Sequence, residues 1–441
     1  MIEIIKNKLN AEQKITSWVI KKITKTSKEL FFIKTKLDMN REVIFTEYQV
    51  KIYVDFSQNG VEYTGDVLFT IGQSDSEKEI QDKIDFAVKQ AQFVKNKPYK
   101  LFDNHTEKLL EIKSQSNIKK FMDKFKDLSD LINHDYKKDG IHSNINSFEL
   151  FVIDINHKIQ NSYGLNLSYD TSKVSFELVT DNDTGKESVE IFTLYDIRDF
   201  DIEKIRKIFV EQLTQTDLRA KAVTSPKLEN VKVILSNDAV QELLQYYLDK
   251  ATDQYIFSKL SNYKVGKKIQ KETAKNKITL KTIPNLENVV NPQIVDGDGV
   301  ILKEQIIINN GEVNSIMSGS KIGSYLNMPI SGYTANFAVN AGEISEKELR
   351  SGDYLEIKMF SSFLTDNATG DFGGEFRLAI LHKDAKELPV SGGSLSLNLN
   401  DVQDKMIFSK ELEQRSYSLA PSVIAFENVS VAGEENRNVE Q

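Results

Sequence analysis

Apolar and polar residues alternate through two runs near the start of the chain, "EVIFTEYQVKIYVDF" (42–56) and "VEYTGDVLFTIG" (61–72). Such a period of two predicts half-buried strands. Between them lies "SQNG", and Asn59-Gly60 supplies the left-handed turn chemistry that joins two strands in a hairpin. The pattern then lengthens to the helical period. Ile80, Ile84, Ala87, Ala91 and Val94 fall on one face, and Ser74 with Glu77 has capping-box spacing. A polar, helical connector is expected over roughly 103–137.

The same order then recurs. Strand-like runs cover about 147–157, 163–169, 173–181 and 188–195, with "NDTG" (182–185) as a turn. "DIEKIRKIFVEQL" follows as an amphipathic helix carrying Ile202, Ile205, Ile208, Phe209 and Leu213. Sheet then helix, twice over, predicts an α+β fold with a possible duplication. "TSPKLENVKVIL" (224–235) reads as a linker entering a strand. A helix over about 237–260 is expected next, capped by Ser236, with Val240, Leu243, Leu244, Tyr247, Leu248 and Ala251 as its apolar stripe. Beyond 275, short runs broken by Gly, Asn and Asp predict a β-rich region, and the polar tail "EENRNVEQ" is expected to fray. The expected domains are residues 1–102 (α+β), 103–223 (α+β with the helical connector) and 224–441 (β-rich).

Composition narrows the function. With 40% apolar and 28% charged residues, the chain has the make-up of a soluble globular protein. No apolar run reaches the roughly 18 residues that a membrane span needs. The first residues lack a signal peptide's apolar core, and there is no cysteine. A cytoplasmic protein is expected. A net charge of -8, with Lys interspersed among Asp and Glu, argues against nucleic-acid binding. The basic run "KKIQKETAKNKITLK" (267–281) reads as a solvated face.

Candidate chemistry is sparse. There is no Walker A loop and no G-x-S-x-G elbow. "DGDGV" (296–300) lacks the later ligands of a calcium loop and reads as a tight turn. His105, His134, His142, His157 and His382 form no i, i+4 pair. In "TGDFGGEFRLAI" (369–380), Asp371, Glu375 and Arg377 are candidates for a substrate cleft, since Glu375 and Arg377 share one strand face. The alternative for that pair is a surface ion pair. Gly373 and Gly374 suggest close approach by a neighbouring element.

The order of several segments resembles the TldD/PmbA metallopeptidase family, described as DNA gyrase modulators. "VKVILSNDAVQELL" (231–244) is similar to the strand and start of its central helix, and "SKLSNYKVGKKI" (258–269) to its Ser-x-Leu…Gly segment. "IPNLENVVNPQIVDGDGV" (283–300) is similar to its Pro-x-Leu…Phe-Asp-x-Glu-Gly-Val stretch, with Val295 for Phe and Asp298 for Glu. "TGDFGGEFRLAI" is similar to its Thr-Gly-Asp-Phe element, and "PVSGGSLSLNLNDV" (389–402) to its Pro-Val…Gly-Asn-Leu segment. In the family's TldD-type subunit, H-E-x-x-x-H follows a Leu-Leu and, with a later cysteine, holds zinc. Here Leu243-Leu244 precede "QYYLDK": Gln245 and Lys250 take the histidine positions and Tyr246 that of the glutamate. The resemblance therefore implies the metal-free TldE/PmbA-type subunit. It implies no catalytic residue and no cofactor in this chain, with zinc in a TldD-type partner. Assembly would be a heterodimer with that partner, or a homodimer in isolation. The implied function is processing of unfolded or modified peptides, without nucleic acid or membrane. The alternatives are a gyrase-modulator-like binding protein and a self-sufficient homodimeric hydrolase using Asp371, Glu375 and Arg377.

Overall fold

The structure, a computed structural model, describes residues 1–109, 111–112, 114–185 and 188–434. The tail expected to fray lies, from residue 435 onward, outside the described residues.

A helix α1 (Ile2–Ala11) precedes strand β1 (Ser17–Ile33), and then come β2 (Lys36–Gln58), β3 (Val61–Gly72) and helix α2 (Glu77–Ala91). The hairpin turns at Asn59 and Gly60, both with positive φ, as the sequence predicts. On β2, Tyr48, Val50, Ile52 and Val54 point inward at alternate positions onto Ile80, Ile84, Ala87 and Ala91 of α2. That helix starts later than expected. Its capping box is Ser76 with Glu79, not Ser74 with Glu77, because the intervening Asp75 side chain accepts from Gly72 N at 2.9 Å and extends the turn.

Short helices α3 (Asn117–Asp123) and α4 (Phe125–Ile132) lead to β4 (Asn144–Asn161), β5 (Asn166–Asn182), β6 (Val189–Ile197) and helix α5 (Ile202–Lys221). The runs expected as two strands, about 163–169 and 173–181, merge into the one strand β5, which begins only at Asn166 after a turn at 162–165. Its polar middle stays in the sheet because Ser172 is buried and donates to the Ile153 carbonyl. Helix α5 is capped by Asp201 and lays Ile205, Phe209 and Leu213 on Phe148, Val174 and Phe176.

Both halves belong to one six-stranded sheet, in the order β3-β2-β1-β4-β5-β6. Strands β1 and β4 pair antiparallel at its centre, from Val19↔Asn161 to Ile33↔Ser147. Each half is thus a three-stranded meander followed by a helix, the topology of a duplicated unit.

The C-terminal region packs a nine-stranded sheet against a second sheet of six strands. Strand Leu228–Leu235 runs parallel to Tyr354–Phe360 and antiparallel to Ile424–Val431, and feeds directly into helix α6 (Asp238–Lys250). The stripe Val240, Leu243, Leu244, Tyr247, Leu248 and Ala251 is buried in the core between the sheets. Two expectations fail here. The Ser236 hydroxyl donates to the Ile357 carbonyl, so Asn237, at φ 57°, takes the cap position without a side-chain bond. The helix also ends at Lys250 instead of continuing to 260. Its exit is fixed by two backbone bonds, from Met317 N to the Ala251 carbonyl and from Asp253 N to the Met317 carbonyl, both 2.9 Å. Thr252 then caps a separate turn, α7 (Asp253–Phe257). No helix among the described residues is long and apolar enough to cross a membrane.

Candidate functional site

Helix α6 and the turn before strand Asp371–Lys383 meet, so the two segments of most chemical interest in the sequence are neighbours in space. Asp366 builds that turn. One of its carboxylate oxygens accepts from Ala368 N at 2.7 Å and Thr369 N at 3.0 Å, and its carbonyl accepts from Gly370 N at 2.8 Å. Gly370 has φ 85°, and a Cβ there would lie 3.5 Å from the Tyr246 hydroxyl.

From the helix side, Lys250 reaches into the same turn. It is 7% exposed, and its ammonium donates to the carbonyls of Leu260 at 2.5 Å and Asn367 at 2.8 Å. Burial pulls its pKa down, while the Asp366 carboxylate opposes that shift. The Nζ lies 5.4 Å from the centre of the Tyr246 ring. Gln245 donates to Asp249 at 2.7 Å, and the other Asp249 oxygen accepts from Asn367 at 2.8 Å. Burial raises the pKa of Asp249 and of Tyr246.

These residues do not fit a zinc ion. A carboxamide, a phenol kept protonated by burial and an ammonium engaged with two carbonyls replace the imidazole and carboxylate donors that zinc takes. Among the described residues no three His, Cys, Asp or Glu side chains gather to offer another set. The five histidines stay apart; His157, for example, stacks on Tyr169.

Asp371 is exposed at the start of its strand. It accepts from the Thr369 hydroxyl and from the Asn398 amide, both at 2.7 Å, and these donors hold its carboxyl below the ordinary range. Glu375 and Arg377 are exposed on the same face, as the strand period requires, and make no ion pair with each other among the described residues. Between them and the turn, the glycines answer to close backbone approach. A Cβ on Gly373 would meet the Leu395 carbonyl oxygen at 2.0 Å, and one on Gly374 the Ser362 carbonyl oxygen at 2.0 Å.

Beside α6 opens a cavity of about 390 Å³ that Asp371, Glu375 and Arg377 do not line. Tyr246 and Lys250 form one wall, and Ala368, Asn400 and Gln403 another. The segment 259–269 closes it with Lys259, Ser261, Asn262, Tyr263, Lys267 and Lys268. The run 267–281 begins solvated, as read from the sequence, with Lys268 64% exposed, but Lys267 and Lys268 also border this cavity. The signal was present in the "SKLSNYKVGKKI" segment, whose place beside the central helix only the fold discloses.

Residues 228–433 match the model of the PmbA/TldA metallopeptidase C-terminal domain. Among solved structures, TldE from Thermococcus kodakarensis is 17% identical, with a TM-score of 0.74 over 98% of this chain and 100% of that one. A proposed modulator of a DNA gyrase from Thermotoga maritima is 15% identical, with a TM-score of 0.75 over 98% and 100%. One from Bacteroides thetaiotaomicron is 15% identical, with a TM-score of 0.77 over 98% and 99%. A search of curated proteins gave no match. The TldD/PmbA resemblance read from the sequence, and its α+β fold with a β-rich C-terminal region, are thereby borne out.

Proposed function

We propose, from the premise that this chain is of the TldD/PmbA family with a TldE-like fold, that it is the zinc-lacking subunit of a peptidase pair acting in the cytoplasm on unfolded or modified peptides. The observation that carries this reading is Lys250, an ammonium seated on two carbonyls where a TldD-type subunit has its second zinc-binding histidine. Gln245 and Tyr246 agree with it, since neither replaces an imidazole ligand or a carboxylate base near neutral pH. In this reading a TldD-type partner supplies the zinc and the base that activates water. The present chain completes the chamber and helps to hold the peptide. Extended peptides bind by adding to sheet edges, which suits a region built of short strands.

The test is co-expression with a chain carrying H-E-x-x-x-H and a later cysteine, followed by zinc analysis and cleavage assays on each subunit and on the pair. Zinc is expected in the partner, and cleavage of an unfolded peptide only by the pair. Stoichiometric zinc on this chain alone overturns the proposal. Cleavage by this chain alone in the presence of a chelator favours instead a hydrolase built around Asp371, Glu375 and Arg377.

A further inference from the structure

The cavity beside α6 has a chemistry of its own. Four lysines line it, Lys250, Lys259, Lys267 and Lys268, and among the described residues no arginine or carboxylate does. Their charges are unevenly matched. Lys268 pairs with Glu272 at 2.7 Å, but Glu272 is shared with Lys277. Lys267 turns to a neutral acceptor, the Asn262 side-chain oxygen, at 2.5 Å, and Lys259 makes no ion pair among the described residues. Lys250 uses two of its three N–H donors on the Leu260 and Asn367 carbonyls, which leaves one. Asp366, one residue before Asn367, is the acid that acts on Lys250, and both its neighbouring backbone donors already occupy one of its oxygens.

A half-enclosed space of about 390 Å³ with this excess of ammonium groups suits a small oxyanion and the one or two residues attached to it. The Tyr246 and Tyr263 rings add apolar wall for those residues. We propose that this cavity binds the terminal carboxylate of a peptide, with Lys250 as a buried anchor and Lys259 and Lys267 as its partners. The inference rests on the peptide-processing reading for the choice of carboxylate over other oxyanions. It gives the position of the degenerate metal site a binding role: in this reading a cation fixed by the protein stands where a TldD-type subunit would hold its zinc.

The test uses the full-length chain alone. A short unstructured peptide with a fluorescent label at its N-terminus is titrated as the free acid and as the C-terminal amide, with inorganic phosphate as competitor. The acid is expected to bind roughly tenfold or more tightly than the amide, as one or two charge-assisted hydrogen bonds would give. That preference should weaken in Lys259→Gln/Lys267→Gln, with Lys250 still in place, and persist unchanged in Lys347→Gln, which lies outside the cavity. Equal affinity for acid and amide overturns the proposal, and so does an unchanged preference in the double variant. Phosphate binding without any preference for the acid also overturns it, in favour of a phosphate site. Should the double variant fail to fold, the wild-type preference must still weaken steeply as salt rises from 50 to 500 mM, a roughly threefold change in Debye length; a salt-independent preference overturns the proposal. None of these readouts depends on zinc or cleavage. Failure here therefore leaves the assignment as a zinc-lacking subunit standing, and failure of the cleavage test leaves this binding result standing.

Discussion

Gly373 has φ 138°, and the Leu395 carbonyl oxygen lies 2.0 Å from where a Cβ would be. Gly373→Ala must therefore either push two paired strands apart or leave a strained backbone. A loss of about 2–4 kcal/mol is expected, read as a lower urea midpoint with an unchanged slope. His157 offers a second prediction, of the opposite kind. Burial first, and the Lys21 charge second, push its pKa down to about 4. In the unfolded chain it takes up a proton near its ordinary value of 6.5. The neutral imidazole consequently favours the folded state fully above pH 6.5, and that contribution is lost as pH falls toward 4. Relative to His157→Gln, the natural protein should lose on the order of 1–3 kcal/mol between pH 7 and 4. A pH-independent difference between the two proteins would show that His157 does not titrate in this way. Neither residue's role can be read from the sequence. The glycine pair announces close approach but not by what, and a lone histidine carries no mark of burial.

At the scale of elements, the strongest periodic segments were legible. The hairpin turn at Asn59-Gly60, the inward alternation on β2 and the stripes of α2, α5 and α6 all follow from residue spacing. What escaped has physical causes. Strand β1 carries "KKITKTSKEL" in its middle, and a strand paired on both sides can keep polar side chains on its open face without losing its ladder. Helix boundaries were set by contacts outside the helical pattern: the Asp75 turn onto Gly72 N before α2, and the backbone of Met317, which takes the Ala251 carbonyl and the Asp253 N–H, after α6. The capping box of α2 gives a prediction at this scale. Ser76→Ala removes the acceptor for Glu79 N and a donor to the Glu79 side chain, so it should lower stability by about 1 kcal/mol. Ser74→Ala, two residues earlier, should change it little; thermal melts of both variants decide which serine caps the helix.

For the whole molecule, the sequence showed two similar units and a β-rich end, but not that β1 and β4 join the units into one sheet or that this sheet docks on the loop 294–301. Such contacts are long-range and leave no local pattern. At that junction Val19, Tyr53, Ile159 and Leu165 pack against Ile294, Val295 and Ile301. The tight turn "DGDGV" does more than reverse the chain. Asp296 accepts from the backbone of Asp298 and Val300, which presents the Asp298 carboxylate outward. One oxygen of Asp298 accepts from both Lys51 Nζ at 2.7 Å and the Tyr53 hydroxyl at 2.8 Å, so residues far apart in the chain converge on a single atom. Asp66, 3.6 Å from Lys51, shares that cation. Asp298→Ala should cost about 1–3 kcal/mol, because it strips a partly buried lysine and a buried phenol of their acceptor. Tyr53→Phe should cost less, since the ring keeps its place in the seam. Both substitutions remove the same hydrogen bond, so the double variant should lose less than the sum of the two single losses, by roughly 0.5 kcal/mol or more. Urea unfolding of the four proteins measures the difference. Strict additivity would mean that the phenol and the carboxylate do not meet, and that the polar tie across this seam rests on other bonds, such as Lys51 to Asp298 and Lys21 to the Asp296 carbonyl at 2.9 Å.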